Sequence, residues 1–318
     1  MNSESSLKIR HSLYLLLTSL IWGTCFVAQS IATKTMGPFT YNACRFFLGA
    51  AFMLPLAIPA ARKDPRSILY RGGHPAYPQK ERQKLFLHSS AVIGFCMFAA
   101  GTLQQAGLMY TTAGKSGFVT ALYIILVPLF GLIIFRRKCS PLVWVSIAVA
   151  VLGFYLLCMK GDLSINKGDL ITLMCSFVYA FHILSVDYYV SKVNELLLSF
   201  MQLLISAVLS LIPALLFETS SWSDILANLG PIAYAGVLSG GVAYTLQLIG
   251  QRGLNPTAAS LLMSLESVIS ALAGWVILGE TLTGRELFGC VLVFCGVILA
   301  QLPAPEQLKK WKQHAAET

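Results

Sequence analysis

Thr102-Leu103-Gln104-Gln105-Ala106-Gly107 is echoed 143 positions later by Thr245-Leu246-Gln247-Leu248-Ile249-Gly250. The register holds without a gap: Leu122 falls on Leu265, Leu129 on Leu272, Gly131 on Gly274, Ile134 on Ile277 and Gly153 on Gly296. Upstream the correspondence continues at an offset of 157, which sets Ser19 on Ser176, Trp22 on Tyr179, Gly23 on Ala180 and Arg45 on Gln202. The change of offset by 14 residues falls at the longer polar loop of the first half. Each copy holds five apolar segments. An odd number of crossings brings the second copy in from the opposite side, so the repeats are expected to be related by a pseudo-twofold axis in the membrane plane.

Composition points the same way. Of 318 residues, 56% are hydrophobic and 12% charged, against about 25% charged in soluble domains, and the mean hydropathy is +0.70. Ten spans are read at 12–32, 41–61, 85–109, 116–135, 141–159, 169–189, 196–217, 230–250, 257–278 and 286–302. Most approach the ~20 residues a helix needs to cross the hydrocarbon. Their apolar runs are nearly continuous, unlike the alternation of a barrel strand. The expected fold class is therefore an all-α membrane protein with ten transmembrane helices in two inverted five-helix repeats. The repeats cover 12–160 and 161–303, between an N-terminal segment at 1–11 and a basic tail at 304–318.

The net charge of +9 orients the chain. With the N-terminus in the cytoplasm, 17 of the 23 basic residues fall on cytoplasmic segments, including Arg62, Lys63, Arg66, Arg71, Lys80, Arg82, Lys84 and Arg136 to Lys138. The other face receives Lys34, Lys115, Lys160, Lys167 and Arg285. The positive-inside rule then puts both termini in the cytoplasm of a cell (inner) membrane. The basic charge calls for no nucleic-acid partner, and contact with anionic lipid is expected. The first apolar segment is too long for a signal-peptide core. The eight cysteines form no CxxC and no Cys/His cluster, so neither a disulfide frame nor a metal site is expected. No GxxxxGK[ST], no HExxH and no Ser/His/Asp order is present. ATP-driven transport by this chain and intramembrane hydrolysis are disfavoured, and no cofactor is implied.

Ionisable groups inside the hydrocarbon are functional candidates, since each costs at least about 2.5 kcal/mol to insert. Glu266 lies near the middle of span 257–278. At about 100° per residue it lies some 120° from a stripe of small residues formed by Ser260, Ser264, Ser267, Ala271 and Gly274. One face can pack while another presents a carboxyl, either to a substrate amine or proton or to neighbouring helices as structural glue. Its repeat mate is Tyr123. Arg45 lies in the outer third of span 41–61, where it can attract a substrate carboxylate, pair with a protein acid or snorkel to the headgroups. Trp22, Tyr179, Gln104, Gln247, Tyr244 and His182 complete the deep polar and aromatic set, with Gln29 and Gln105 beside them. Trp22 with Tyr179 and Gln104 with Gln247 are repeat mates, which is how a cavity at a repeat interface would be lined. Pro128, Pro55 and Pro59 are expected to kink their spans.

The stretch from Ala258 to Ala300, AASLLMSLESVISALAGWVILGETLTGRELFGCVLVFCGVILA, resembles the second-repeat signature of the EamA family in the drug/metabolite transporter superfamily. LIWGTCFVAQS at 20–30, ACRFFLGA at 43–50 and VPLFGLIIF at 127–135 are the matching features of the first repeat. The chain departs from the family pattern at Ser267, where proline often follows the glutamate, and at Arg136-Arg137-Lys138, where Gly-Glu is frequent. The resemblance implies a non-enzymatic exporter of small polar metabolites such as amino acids, working by alternating access, with a homodimer left open. Efflux of lipophilic cations is the alternative. A membrane enzyme on a lipid-linked substrate and a non-transporting sensor stand behind it.

Overall fold

The computed structural model describes residues 3–136, 139–158, 166–279, 281 and 283–301. Among them every regular element is helical. In chain order these are α1 (Ser3–Ala32), α2 (Pro38–Lys63), α3 (Gln79–Leu108), α4 (Ala113–Ala121), α5 (Tyr123–Phe135), α6 (Pro141–Cys158), α7 (Lys167–Tyr189) and α8 (Glu195–Phe217). The short helices α9 (Trp222–Ala227) and α10 (Leu229–Ala233) lead into a π-helical segment, Tyr234–Ala243. Then follow α11 (Tyr244–Gln251), α12 (Pro256–Met263), α13 (Glu266–Leu278) and α14 (Gly284–Gln301). Eight stretches among the described residues are long and apolar enough to cross a membrane; α6 and α14, of 18 residues each, accompany them.

Local chemistry sets the ends. Asn166 caps α7 reciprocally with Asp169, Asn194 accepts from the Leu197 amide of α8, and Asn255 accepts from the Ala258 amide of α12. Pro38, Pro141 and Pro256 open their helices, where a missing N–H costs nothing. Gly37 offers α2 no side-chain cap. That role falls to Glu218, just past α8, whose carboxylate accepts from the Phe39 amide at 2.9 Å, the Thr40 amide at 2.7 Å and the Thr40 hydroxyl at 2.6 Å. A negative charge at a helix N-terminus is also favoured by the helix dipole.

The broken spans differ from expectation. Span 116–135 breaks at Leu122, not at Pro128, which sits inside α5. Span 257–278 breaks at Ser264 and Leu265, so the continuous wheel drawn through Glu266 is interrupted one residue before it. Both breaks tighten into i→i+3 bonds, Leu122 N to Val119 O at 3.3 Å and Leu265 N to Leu262 O at 3.4 Å. The second break contains no proline, so proline is not its common cause. α2 runs unbroken through Pro55 and Pro59. Arg136 and Gly279, which close α5 and α13, both adopt the left-handed conformation, at φ 52° and 69°. The turn residues Arg137, Lys138 and Glu280, Lys160 and the basic tail lie outside the described residues.

Packing pairs α6 with α14, α2 with α8, α3 with α7, and α1 with α13. The α6–α14 contact is close because glycine permits it. A Cβ on Gly153 would sit 2.6 Å from the Gly289 carbonyl oxygen, and one on Gly296 would sit 2.8 Å from that of Ser146. At one end of the bundle, polar bonds tie the α2–α3 connection to α8 and α11. Arg66 Nη2 contacts Asp64 Oδ2 at 2.6 Å and Glu195 Oε2 at 2.7 Å, and Arg252 Nη1 reaches Glu195 Oε1 at 3.0 Å. Partial burial pushes the Asp64 carboxyl up, but hydrogen bonds from Arg66 and Asn194 outweigh it and hold it below its ordinary 3.8. A depressed carboxyl stabilises the fold above its unfolded value, and the contribution is lost as pH falls through the folded value. Asp64→Asn should therefore be less stable than wild type at neutral pH, with the gap closing on acidification below 3.8. Thermal unfolding across a pH series reads this, and a gap unchanged in acid would remove the carboxylate from the account.

Candidate functional site

Inside the bundle, α1, α2, α3, α5, α7, the π segment, α11 and α13 converge on one narrow cavity of about 20 Å³, room for about one water. Its wall includes Glu266, Tyr123, Arg45, Trp22, Tyr179, Gln104, Gln247 and Tyr244. Eight of the nine residues singled out from sequence thus meet in one place.

The two broken spans each contribute a residue to its lining. Each break makes the next residue the first of a new helix, Tyr123 in α5 and Glu266 in α13. The Tyr123 hydroxyl donates to Glu266 Oε1 at 3.0 Å. Two residues 143 apart, matched by the internal repeat, therefore meet directly. Glu266 is 4% exposed and has no cation partner among the described residues.

Arg45 does not snorkel. It is 2% exposed, held by Nε to Asn42 Oδ1 at 2.8 Å and by Nη1 to Gln29 Oε1 at 3.3 Å. Its guanidinium lies 4.5 Å from the Phe46 ring centroid and 5.4 Å from that of Tyr41. Among the described residues Nη2 has no hydrogen-bond partner and no carboxylate pairs with the group. A buried charge left in this state is costly in the resting protein and attractive to an incoming anion.

Aromatic groups form the walls. The Trp22 and Tyr244 rings lie 4.7 Å apart at 55°, and the Tyr179 and Tyr244 hydroxyls are 3.1 Å apart. Trp22 Nε1 donates to the Ser239 carbonyl at 3.5 Å. Gln104 donates to Thr120 Oγ1 at 3.4 Å, while Gln247 Oε1 has no partner among the described residues. His182 is the exception. It stands behind the wall, with Nε2 3.1 Å from Gln202 Oε1 and its ring edge-on to Tyr179 and Tyr244.

Cys25, Phe26, Gln29, Ile183 and Ser239 also line the cavity. Trp22, Cys25, Phe26 and Gln29 follow i, i+3, i+4, i+7 spacing, so one face of α1 was available as a signal. Ile183 lies one turn beyond Tyr179. Ser239 could not be found this way, because the π segment carries it and periodicity at 3.6 does not describe that backbone. Gly236, Gly240 and Gly241 let the segment lie against α2, where a Cβ on Gly49 would sit 2.7 Å from the Gly236 carbonyl oxygen.

Residues 10–159 and 166–302 match the EamA-like transporter family. An uncharacterized transporter of Archaeoglobus fulgidus is 28% identical over 300 residues, covering 94% of this chain and 88% of that protein. The uncharacterized inner membrane transporter YedA of Escherichia coli K12 is 24% identical over 291 residues, covering 89% and 88%. One solved structure superposes with a TM-score of 0.71 at 20% identity, over 92% of this chain and 96% of its own. With apolar helices, a polar cavity between them and a family match along nearly its full length, the chain belongs to the EamA-like transporter family and is a multi-pass membrane transporter.

Proposed function

We propose that the chain exports small zwitterionic metabolites, amino acids among them, by alternating access through this cavity. The observation that carries the reading is a cavity lined both by a buried guanidinium whose Nη2 has no partner among the described residues and by a buried carboxyl that accepts from the Tyr123 phenol. Arg45 would take the substrate carboxylate in a charge-assisted pair. Glu266 would take the ammonium, or a proton when the cavity is empty. Trp22, Tyr179 and Tyr244 would pack the side chain between them. A cavity of about 20 Å³ is far below the ~300 Å³ of a small-ligand site, so the described conformation is closed and the helices must part to load it.

The motion proposed is rocking of two inverted five-helix repeats, 12–160 and 161–303, with both termini in the cytoplasm of the inner membrane. Four features support the pairing of the halves: left-handed closures at Arg136 and Gly279, breaks at Leu122 and Leu265, the reciprocal approach of Gly153 and Gly296, and the Tyr123–Glu266 bond. Efflux of lipophilic cations fits the aromatic walls and Glu266 but sets the cargo against Arg45, which disfavours it.

The test uses purified protein in liposomes loaded with labelled amino acids and small metabolites, with and without a pH gradient. Wild type should release a subset selectively, and Glu266→Gln should do so about ten- to a hundredfold more slowly, the loss expected for one hydrogen bond to a charged group. Unchanged release by the variant at every pH would leave the carboxyl a packing element. Release of organic cations in preference to amino acids would favour the drug-efflux reading.

A further inference from the structure

We propose a second site, a phosphate-group site in the connection between α2 and α3, separate from the transport cavity. An open cavity of about 920 Å³ lies there, lined by Arg62, Arg71 and Arg82 with Gln79, and by Ile58 and Ile68 on its apolar side. Among the described residues it offers three guanidinium groups and no carboxylate.

Arg82 makes it a built site. Its side chain is buried, 7% exposed, and Nη1 donates to the carbonyl oxygens of Ser67 and Tyr70. Those bonds fold the connection around it. Nε is buried and has no hydrogen-bond partner among the described residues. The start of α3 adds to the field. Its N-cap is Pro78, with no side-chain acceptor for the first amides, and an uncapped helix N-terminus favours an anion. Of the acids near the connection, Glu195 is paired with Arg66 and Arg252. Asp64 faces Arg66 and Asn194, and the exposed Glu81 does not line the cavity.

Depth indicates what arrives. α2 has 26 residues, about 39 Å at ~1.5 Å per residue, more than the ~30 Å of hydrocarbon. Its last turns, with Ile58 and Arg62, therefore reach the headgroup layer. Arginines there meet phosphate while Ile58 and Ile68 continue into the region of acyl chains. The chemistry shared by both sources is a phosphate monoanion or dianion, carried by an anionic phospholipid or free in solution.

The full-length protein in a neutral detergent, titrated with phosphatidylglycerol, phosphatidylcholine or inorganic phosphate and read by native mass spectrometry and thermal shift, tests this. Wild type should retain one phosphatidylglycerol at least about tenfold more tightly than phosphatidylcholine. Arg62→Gln with Arg71→Gln, both exposed positions, should weaken it about fivefold per arginine and leave phosphatidylcholine unchanged. Arg82→Gln should do the same with a lower Tm, because it also releases the loop carbonyls. Arginine-dependent binding of inorganic phosphate without preference among lipids would support the site and assign it to a soluble phosphate. Equal binding of both lipids with no phosphate binding, or a double variant that binds like wild type, would overturn it. None of these readouts depends on transport.

Discussion

Arg45→Gln is expected to cost transport at least about 30-fold in apparent affinity, since truncating one partner of a buried charge pair costs about 2–5 kcal/mol, while leaving the fold as stable as wild type or more so. The two halves of that expectation come from one fact. Arg45 is 2% exposed and its guanidinium meets amides and aromatic faces, with no carboxylate among the described residues. Its desolvation is therefore only partly offset by these neighbours, with the rest left to the anion that the proposed function would bring, and replacing such a charge by a neutral group is often neutral or stabilising. Arg45→Lys keeps the charge but loses the planar fork, and should recover only part of the affinity. Uptake and efflux assays beside thermal unfolding separate the cases. A variant that loses Tm and transport together would make Arg45 a structural residue, and one that keeps both would remove it from the site.

Gly153→Leu should be the most damaging packing change, at about 3 kcal/mol or more, the upper end of ordinary overpacking. A Cβ there would lie 2.6 Å from the Gly289 oxygen and 2.7 Å from the Val293 nitrogen. Both are backbone atoms of α14, which cannot rotate aside, so the helices must separate. Gly131→Ala is the control. Beyond its own helical backbone and chain neighbours, no heavy atom lies within 4 Å of its Cβ position, and alanine is the better helix former by up to about 1 kcal/mol. Detergent melting curves should therefore move in opposite directions. Equal shifts would mean that the α6–α14 approach does not limit stability.

Much of the helical architecture is legible in composition, because long apolar runs leave the backbone no option in lipid but to satisfy itself as helix. The offset of 143 is informative beyond the helix level. It pairs Tyr123 with Glu266, which meet at 3.0 Å, and Gly153 with Gly296, each of which brings its helix against the backbone of the other's. Arg45 is legible as a buried charge but not as an unpartnered one, since Asn42 and Gln29 reach it only through tertiary packing. The breaks at Leu122 and Leu265 carry no local signal: neither has a glycine or proline at the bend, and Pro128 draws attention to the wrong turn. The π segment is hidden for a related reason. Its glycines read as generic close contacts, whereas the extra residue per turn is what presents Ser239 beside Trp22.

The cap on α2 has a consequence for biosynthesis. The Thr40 amide is satisfied by a carboxylate that follows it by 178 residues. At about 5–20 residues per second of elongation, Glu218 follows Thr40 out of the ribosome by roughly 10–40 s. During that interval the opening amides of α2 must be met by water at the membrane surface. The first half of the chain is thus completed by the second, and a ribosome stalled short of residue 218 would release a protein whose second helix still has a bare end.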